Sequence, residues 1–243
     1  MRIVLFSVFG YNVYSHGVFL VLGMAIAAFL LYRLAEKEKL PVNKFLFNII
    51  TSVIVGVIAS RILFYFINLK YYTNLYQLVE IWQGGLVSFG GFIIGGFTFL
   101  FLLRQQKEKI ASWLDLAGIA FPLGIAVGRI GCVLAGEVGK RYYGPLAYYY
   151  HYPVTAVEIY LCLAIFAINL LLYSYAKKYL TDYVLFFSFV TLYSFFRIFI
   201  DAYRTDANLI IGINLSQLTS LIIFVIAFFS FGIYFVRRKL RQK

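Results

Sequence analysis

Arg129 and Glu137 stand eight positions apart in the run Gly128-Arg129-Ile130-Gly131-Cys132-Val133-Leu134-Ala135-Gly136-Glu137-Val138-Gly139-Lys140, in a part of the chain where charge is scarce. Two further arginines, Arg61 and Arg197, also fall inside apolar stretches, and Tyr193 and Asp201 lie one helical turn either side of Arg197. A charged side chain at the centre of a bilayer costs about 2.5–3.5 kcal/mol on insertion scales, so such groups usually mark a cavity or a substrate site. Guanidinium is a planar fork of N–H donors, and that geometry suits phosphate oxygens. The plain reading of one such arginine is a snorkelling or salt-bridged residue. Three of them, with carboxylates beside them, point to a site for lipid phosphate.

The whole composition sets that reading in a membrane. Of 243 residues, 63% are hydrophobic and 13% charged, against roughly 25% charged in soluble domains. Mean hydropathy is +0.85. Apolar runs are continuous instead of alternating, which favours helices over an outer-membrane barrel. The formal net charge of +12 reads as basic cytoplasmic loops, and no basic soluble domain exists to carry nucleic acid. Cys132 and Cys162 both lie in apolar segments, which implies neither a disulfide framework nor a metal knuckle. They read as small packing residues, and no cofactor is called for.

The elements that must position these residues are seven apolar runs, read as helices over about 17–34, 45–68, 82–103, 113 into the Gly128 run, 154–175, 183–203 and 215–236. The chain therefore reads as one all-α, polytopic membrane domain over residues 1–243. Ser60-Arg61 interrupts the second run, and the glycines at 124, 128, 131, 136 and 139 argue against a long unbroken fourth helix. Tyr71, Tyr72 and Tyr76 mark an interfacial segment, and 137–153 a polar, tyrosine-rich cap. Gly90 and Gly91 read as a closely packed helix entry or as backbone N–H groups offered to an anion. Glu158 and Asp115 read as ordinary buried or boundary polar groups.

Loop charges give the orientation. Arg33, Lys37, Lys39 and Lys44, then Arg104, Lys107 and Lys109, then Lys177 and Lys178, and the basic tail after Val236 fall on one side. The other side holds the sparser set Arg2, Lys70, Lys140, Arg141 and Arg204. The basic side is cytoplasmic, so the N-terminus lies outside and the C-terminus inside. Helices two, four and six then run outward, and Arg61, Arg129 and Arg197 all fall in the outer half of the membrane. Glu137 and Asp201 lie just beyond, and His16, at the start of helix one, shares their side.

These residues resemble the prolipoprotein diacylglyceryl transferases, in order along nearly the whole chain. The motifs are Ser15-His16-Gly17, Ser60-Arg61-Ile62-Leu63, Trp82 to Gly91, Gly128 to Glu137, and Tyr193 to Arg204, where Asp201 replaces a glutamate. The resemblance implies transfer of a diacylglyceryl group from phosphatidylglycerol to the lipobox cysteine of a preprolipoprotein, with glycerol phosphate leaving, in a bacterial cytoplasmic membrane. It carries over Arg129, Arg197, Glu137 and Tyr193 as essential, with Arg61, Asp201, Arg204, Gly90, Gly91 and Gly128 on the substrate. Three positions depart from the family pattern. Phe89 stands where a His or Tyr is common, and Cys132 and Ala135 replace two asparagines. His16, at a usual tyrosine position, is the substitute base. A diverged lipid-binding relative, a seven-helix anion transporter and a structural subunit are the competing readings; the transporter lacks the internal repeat expected of it.

Overall fold

The computed structural model describes residues 4–8, 11–69, 88–137, 139–140, 151–176, 182–204, 209–210 and 213–241. Among them are seven helices: α1 (Ser15–Lys37), α2 (Phe45–Ile67), α3 (Ser88–Gln105), α4 (Ile110–Leu134), α5 (Val154–Ala176), α6 (Val184–Asp201) and α7 (Leu215–Arg241). Six are long and apolar enough to cross a membrane, while the apolar part of α3, Gly90–Gln105, is shorter. A helix of 23 residues, such as α1, α2 or α5, rises about 35 Å and so exceeds a hydrocarbon core of about 30 Å. Helices suit that setting because they satisfy every backbone group internally. Large side chains such as Phe29, Phe66, Phe97 and Ile226 point outward, as a lipid-facing surface requires.

Two short hairpins accompany the helices and were not legible as strands. Strands β1 (Val4–Val8) and β2 (Tyr11–Tyr14) pair antiparallel, with Ser7 opposite Asn12 and Val8 opposite Tyr11. β2 runs directly into α1, which fixes where Ser15 and His16 begin the helix. β3 (Leu209–Ile210) and β4 (Ile213–Asn214) form the second, which leads into α7. The expected interfacial segment 71–80, residues Trp82–Val87 and most of the polar cap lie outside the described residues.

The chain divides into two compact units, one of residues 1–34 and 111–243, the other of 35–110. In the second, α2 is continuous through Ser60-Arg61, so the polar pair that interrupts the apolar run leaves the helix whole. Small residues let α2 and α3 approach closely. A Cβ on Gly91 would lie 3.4 Å from Gly56 O, and one on Gly95 would lie 3.0 Å from Ser52 O. Asn48 and Gln106 exchange side-chain hydrogen bonds of 3.1 and 2.9 Å at one end of the pair.

In the first unit, α4 runs unbroken for 25 residues, which corrects the expectation of a broken fourth helix. Its glycines are sites of close approach. A Cβ on Gly124 would come within 2.7 Å of Ala27 Cβ and of Gly23 O on α1. Pro122 has no N–H to give the carbonyl four residues back, and that carbonyl, on Gly118, instead accepts from Asn169 Nδ2 of α5 at 2.9 Å. The same amide donates to Leu185 O at 3.0 Å and so ties α4, α5 and α6 together. Asp115 has a defined task here. Its carboxylate accepts from the backbone N–H groups of Tyr183, Leu185 and Phe186 at the start of α6, where orphan donors and the positive end of the helix dipole favour an anion.

Candidate functional site

Helix α4 ends in a glycine turn that sets the geometry of the opening motif. Gly136 has φ of 73°, its N–H bonds to Val133 O at 3.0 Å, and the Glu137 N–H bonds to Cys132 O at 3.1 Å. This is the Schellman pattern, and only a residue tolerant of the left-handed region fits at its turning point. The turn folds Glu137 back over the last turn of α4. Its carboxylate consequently joins the side chains of Cys132 and His16 in a group whose potential ligand atoms all lie within 4.8 Å of one another.

His16 reaches that group because α1 lies tight against α4. A Cβ on Gly131 would sit 2.9 Å from Phe19 Cβ and 3.0 Å from Ser15 O, so only glycine admits the approach. Gly128 faces Phe19 and Leu20 at ordinary contact distance, 3.9 Å, and serves the same crossing. The outcome is a Cys132 Sγ to His16 Nδ1 distance of 3.2 Å. Cys132 is buried, while His16 and Glu137 are exposed.

Arg129 links this rim group to a buried one. Its Nη1 points an N–H at Cys132 Sγ from 3.7 Å, and its Nε lies 2.9 Å from Glu158 Oε2. Glu158, on α5, is fully buried. Its other oxygen receives the Tyr193 hydroxyl at 2.7 Å and the Nη1 group of Arg197. Arg197 also donates from Nη1 to the Tyr193 hydroxyl at 2.7 Å, and from Nε to both oxygens of Asp201, at 3.1 and 3.0 Å. Tyr193, Arg197 and Asp201 share one face of α6 through their four-residue spacing.

Two arginines and two carboxylates balance each other, which makes the burial tolerable, since removing one partner of a buried ion pair costs several kcal/mol. The arginines are not consumed by these contacts. Among the described residues none of them uses Nη2 of either arginine, and the side chains keep 22% and 12% of their surface exposed. The cluster therefore has N–H donors left for an anion at its open side.

The carboxylate that both arginines share is Glu158, and Glu137 belongs to the rim instead. Sequence reasoning passed over Glu158, although it is the only charged residue in α5 and the rule that singled out Arg129 applies to it equally. The segment after the motif is anchored beside α6. Lys140 N–H donates to Tyr203 O at 2.7 Å, its Nζ donates to Ala202 O at 2.9 Å, and Tyr152 stacks on Tyr203 with ring centroids 4.3 Å apart. Arg204, three residues past the end of α6, is half-buried, with its N–H on Asp201 O at 3.2 Å. Along α5 and α6, an apolar groove of about 510 Å³ is lined by Val157, Leu161, Phe196, Ile200 and Tyr203 among others.

Arg61, Gly90 and Gly91 lie in the other unit. Arg61 is buried, with its guanidinium carbon 5.9 Å from the centre of the Phe64 ring. Gly90 packs on Leu63 and Ser60, and Gly91 on Gly56 and Ser60, so both serve the α2–α3 contact.

Comparison with known proteins places the chain in a family. The family model described as prolipoprotein diacylglyceryl transferase matches residues 3–233. The chain is 28% identical to a Thermotoga maritima phosphatidylglycerol–prolipoprotein diacylglyceryl transferase, over 93% of this chain and 83% of that one. A Finegoldia magna protein of the same name is 27% identical, over 91% of each chain. One from Clostridium perfringens, named as transferase 1, is 26% identical over the whole of this chain and 98% of its own.

Proposed function

The chain belongs to the prolipoprotein diacylglyceryl transferase family, and from that premise we propose that it moves a diacylglyceryl group from phosphatidylglycerol to the lipobox cysteine of a preprolipoprotein. The observation that carries this is the convergence of Arg129 and Arg197 on buried Glu158, next to the paired side chains of Cys132 and His16.

In this reading the free N–H groups of Arg129 and Arg197 hold the lipid phosphate. Charge grows on that phosphate as the bond to the glycerol carbon breaks, and preset guanidinium donors stabilise it there without reorganising. Glu158, Asp201 and Tyr193 keep the two forks aimed. Arg204 lies at the rim, where a headgroup enters, and the α5–α6 groove takes an acyl chain. Arg61 offers a phosphate contact within its own unit, on a helix held in place by Gly90 and Gly91. His16 and Glu137 serve the acceptor side, because the attacking sulfur must lose its proton. Phe89 has no proton to exchange, so that work falls to the His16 side of the site.

The protein spans the cytoplasmic membrane of a bacterium seven times in this proposal, with the N-terminus outside and the basic C-terminus inside. Outer-leaflet lipid and a translocated lipobox then meet the site from the same side, and nucleic acid has no part in it. Purified protein supplied with phosphatidylglycerol and a lipobox peptide tests the proposal. The expected result is a peptide heavier by one diacylglyceryl group, in a thioether stable to hydroxylamine. Lipid binding without modified peptide would instead favour a relative that keeps the phosphate site and uses another acceptor, a reading that the Cys132 and Ala135 replacements motivate.

A further inference from the structure

Among the described residues, His16, Cys132 and Glu137 are the one group whose nitrogen, sulfur and oxygen atoms gather closely enough to share an ion. They come from 116 residues apart for the first pair, so no sequence spacing announces them. Their assembly is built into the fold. Gly131 admits α1, and the glycine turn at Gly136 folds Glu137 back over Cys132. A tetrahedral zinc with sulfur at about 2.3 Å and nitrogen at about 2.0–2.1 Å keeps its ligand atoms roughly 3.5 Å apart. The Cys132 Sγ to His16 Nδ1 distance of 3.2 Å is close to that.

We propose that His16, Cys132 and Glu137 bind a divalent cation of the zinc class, and that its fourth position takes the acceptor thiol. The donor set decides the class: one thiolate, one imidazole and one carboxylate suit a borderline-soft ion, whereas magnesium and calcium prefer oxygen alone. Three protein ligands with an open fourth place is the arrangement of a reactive zinc site, not of a structural one. Its opening lies on the exposed side, where His16 and Glu137 are, and away from buried Cys132. The Arg129 N–H aimed at Cys132 Sγ draws electron density from that sulfur and leaves the acceptor sulfur as the better nucleophile.

The chemistry of this site rests on the transferase reading. The acceptor thiol binds as thiolate and its proton passes to water at the rim, since a coordinated thiol gives up its proton. A lone pair of that sulfur forms the C–S bond to the glycerol carbon. The C–O bond to phosphate breaks, and its electron pair leaves on glycerol phosphate beside Arg129 and Arg197. A metal ion thereby does the work of a base, in a chain that carries Phe89 where a His or Tyr is common in the family it resembles.

Cobalt(II) titration of chelator-stripped, detergent-purified protein tests this directly. One equivalent is expected to bind, with tetrahedral visible bands and a thiolate-to-cobalt band in the near ultraviolet. Cys132→Ser, close in size to the buried thiol, should lose the thiolate band. His16→Ala and Glu137→Gln should weaken binding by more than about tenfold, as even losses around a metal's ligands do. A lipobox peptide should intensify the thiolate band, and its Cys→Ser version should not. Transfer should fall on chelation and return with zinc. Absence of cobalt binding, or full transfer by chelator-stripped protein, overturns the metal and leaves His16 as a free base in a working transferase. Cobalt bound without response to the peptide overturns the acceptor role. Failure of the transferase reading has its own signature: normal cobalt spectra in a protein that forms no thioether with or without zinc.

Discussion

The two clusters joined by Arg129 differ in how they are built. The inner one, of Glu158, Tyr193, Arg197 and Asp201, comes from neighbouring faces of α5 and α6, has both carboxylates buried, and is closed by charge-assisted hydrogen bonds. The outer one, of His16, Cys132 and Glu137, comes from two helix ends, is largely exposed, and exists only because glycines let those ends meet. A group that must hold a phosphate through the breaking of a bond gains from rigid, preset donors. A group that must admit a peptide cysteine gains from an edge position. The contrast matches the two substrates of the proposed reaction, a lipid reached through the membrane and a thiol reached from outside.

Substitutions can break this contrast at several depths. The largest effect is expected from Arg129→Ala or Arg197→Ala, which should lower the transfer rate at least about a thousandfold by removing a donor to the departing phosphate. Rates of thioether formation at saturating lipid measure it. Next, Glu158→Gln keeps shape but leaves two half-buried arginines without their shared carboxylate, and a loss of about 3 kcal/mol is expected, at the low end for a buried pair. Glu137→Gln, at the exposed rim, should leave the unfolding midpoint nearly unchanged. Thermal unfolding of both variants separates the clusters, and equal shifts would remove the distinction.

His16→Phe is expected to cost about a hundredfold in transfer, because the acceptor thiol loses the group that activates it, with lipid binding intact. Retained turnover in that variant would take His16 out of the chemistry. The smallest effect, about tenfold, is expected from Gly131→Ala. Its Cβ would crowd Phe19 and Ser15, push the start of α1 from α4, and loosen the rim while sparing Glu158 and its partners. Lipid binding compared with transfer in this variant reads the two clusters separately.

Much of this was legible from a rule about charge. Arg129, Arg197 and Asp201 stand out because apolar helices seldom hold such residues, and the i, i+4 spacing places Tyr193, Arg197 and Asp201 on one face. Glu158 obeys the same rule, yet it was set aside as ordinary because no motif of its own surrounds it. Its importance comes from packing between helices, which local spacing does not encode. Glycine misled in the fourth helix for a related reason. Counted by propensity, glycines at 124, 128 and 131 weaken a helix, but tertiary contact with α1 recovers that cost and uses the missing side chains. The one that does end the helix, Gly136, differs by its positive φ and by the turn that follows it. The hairpin Val4–Tyr14 was invisible because its apolar residues extend the hydrophobic character of α1 without a clear alternation.

The most direct measurement is the yield of two products from one reaction. Glycerol phosphate release and peptide thioether formation should rise together, mole for mole, in the native protein, and both should vanish in Arg197→Ala while the fold persists. Thioether formation that survives in Arg197→Ala, or glycerol phosphate released without modified peptide, would contradict an arginine cluster that holds the phosphate while the thiol displaces it.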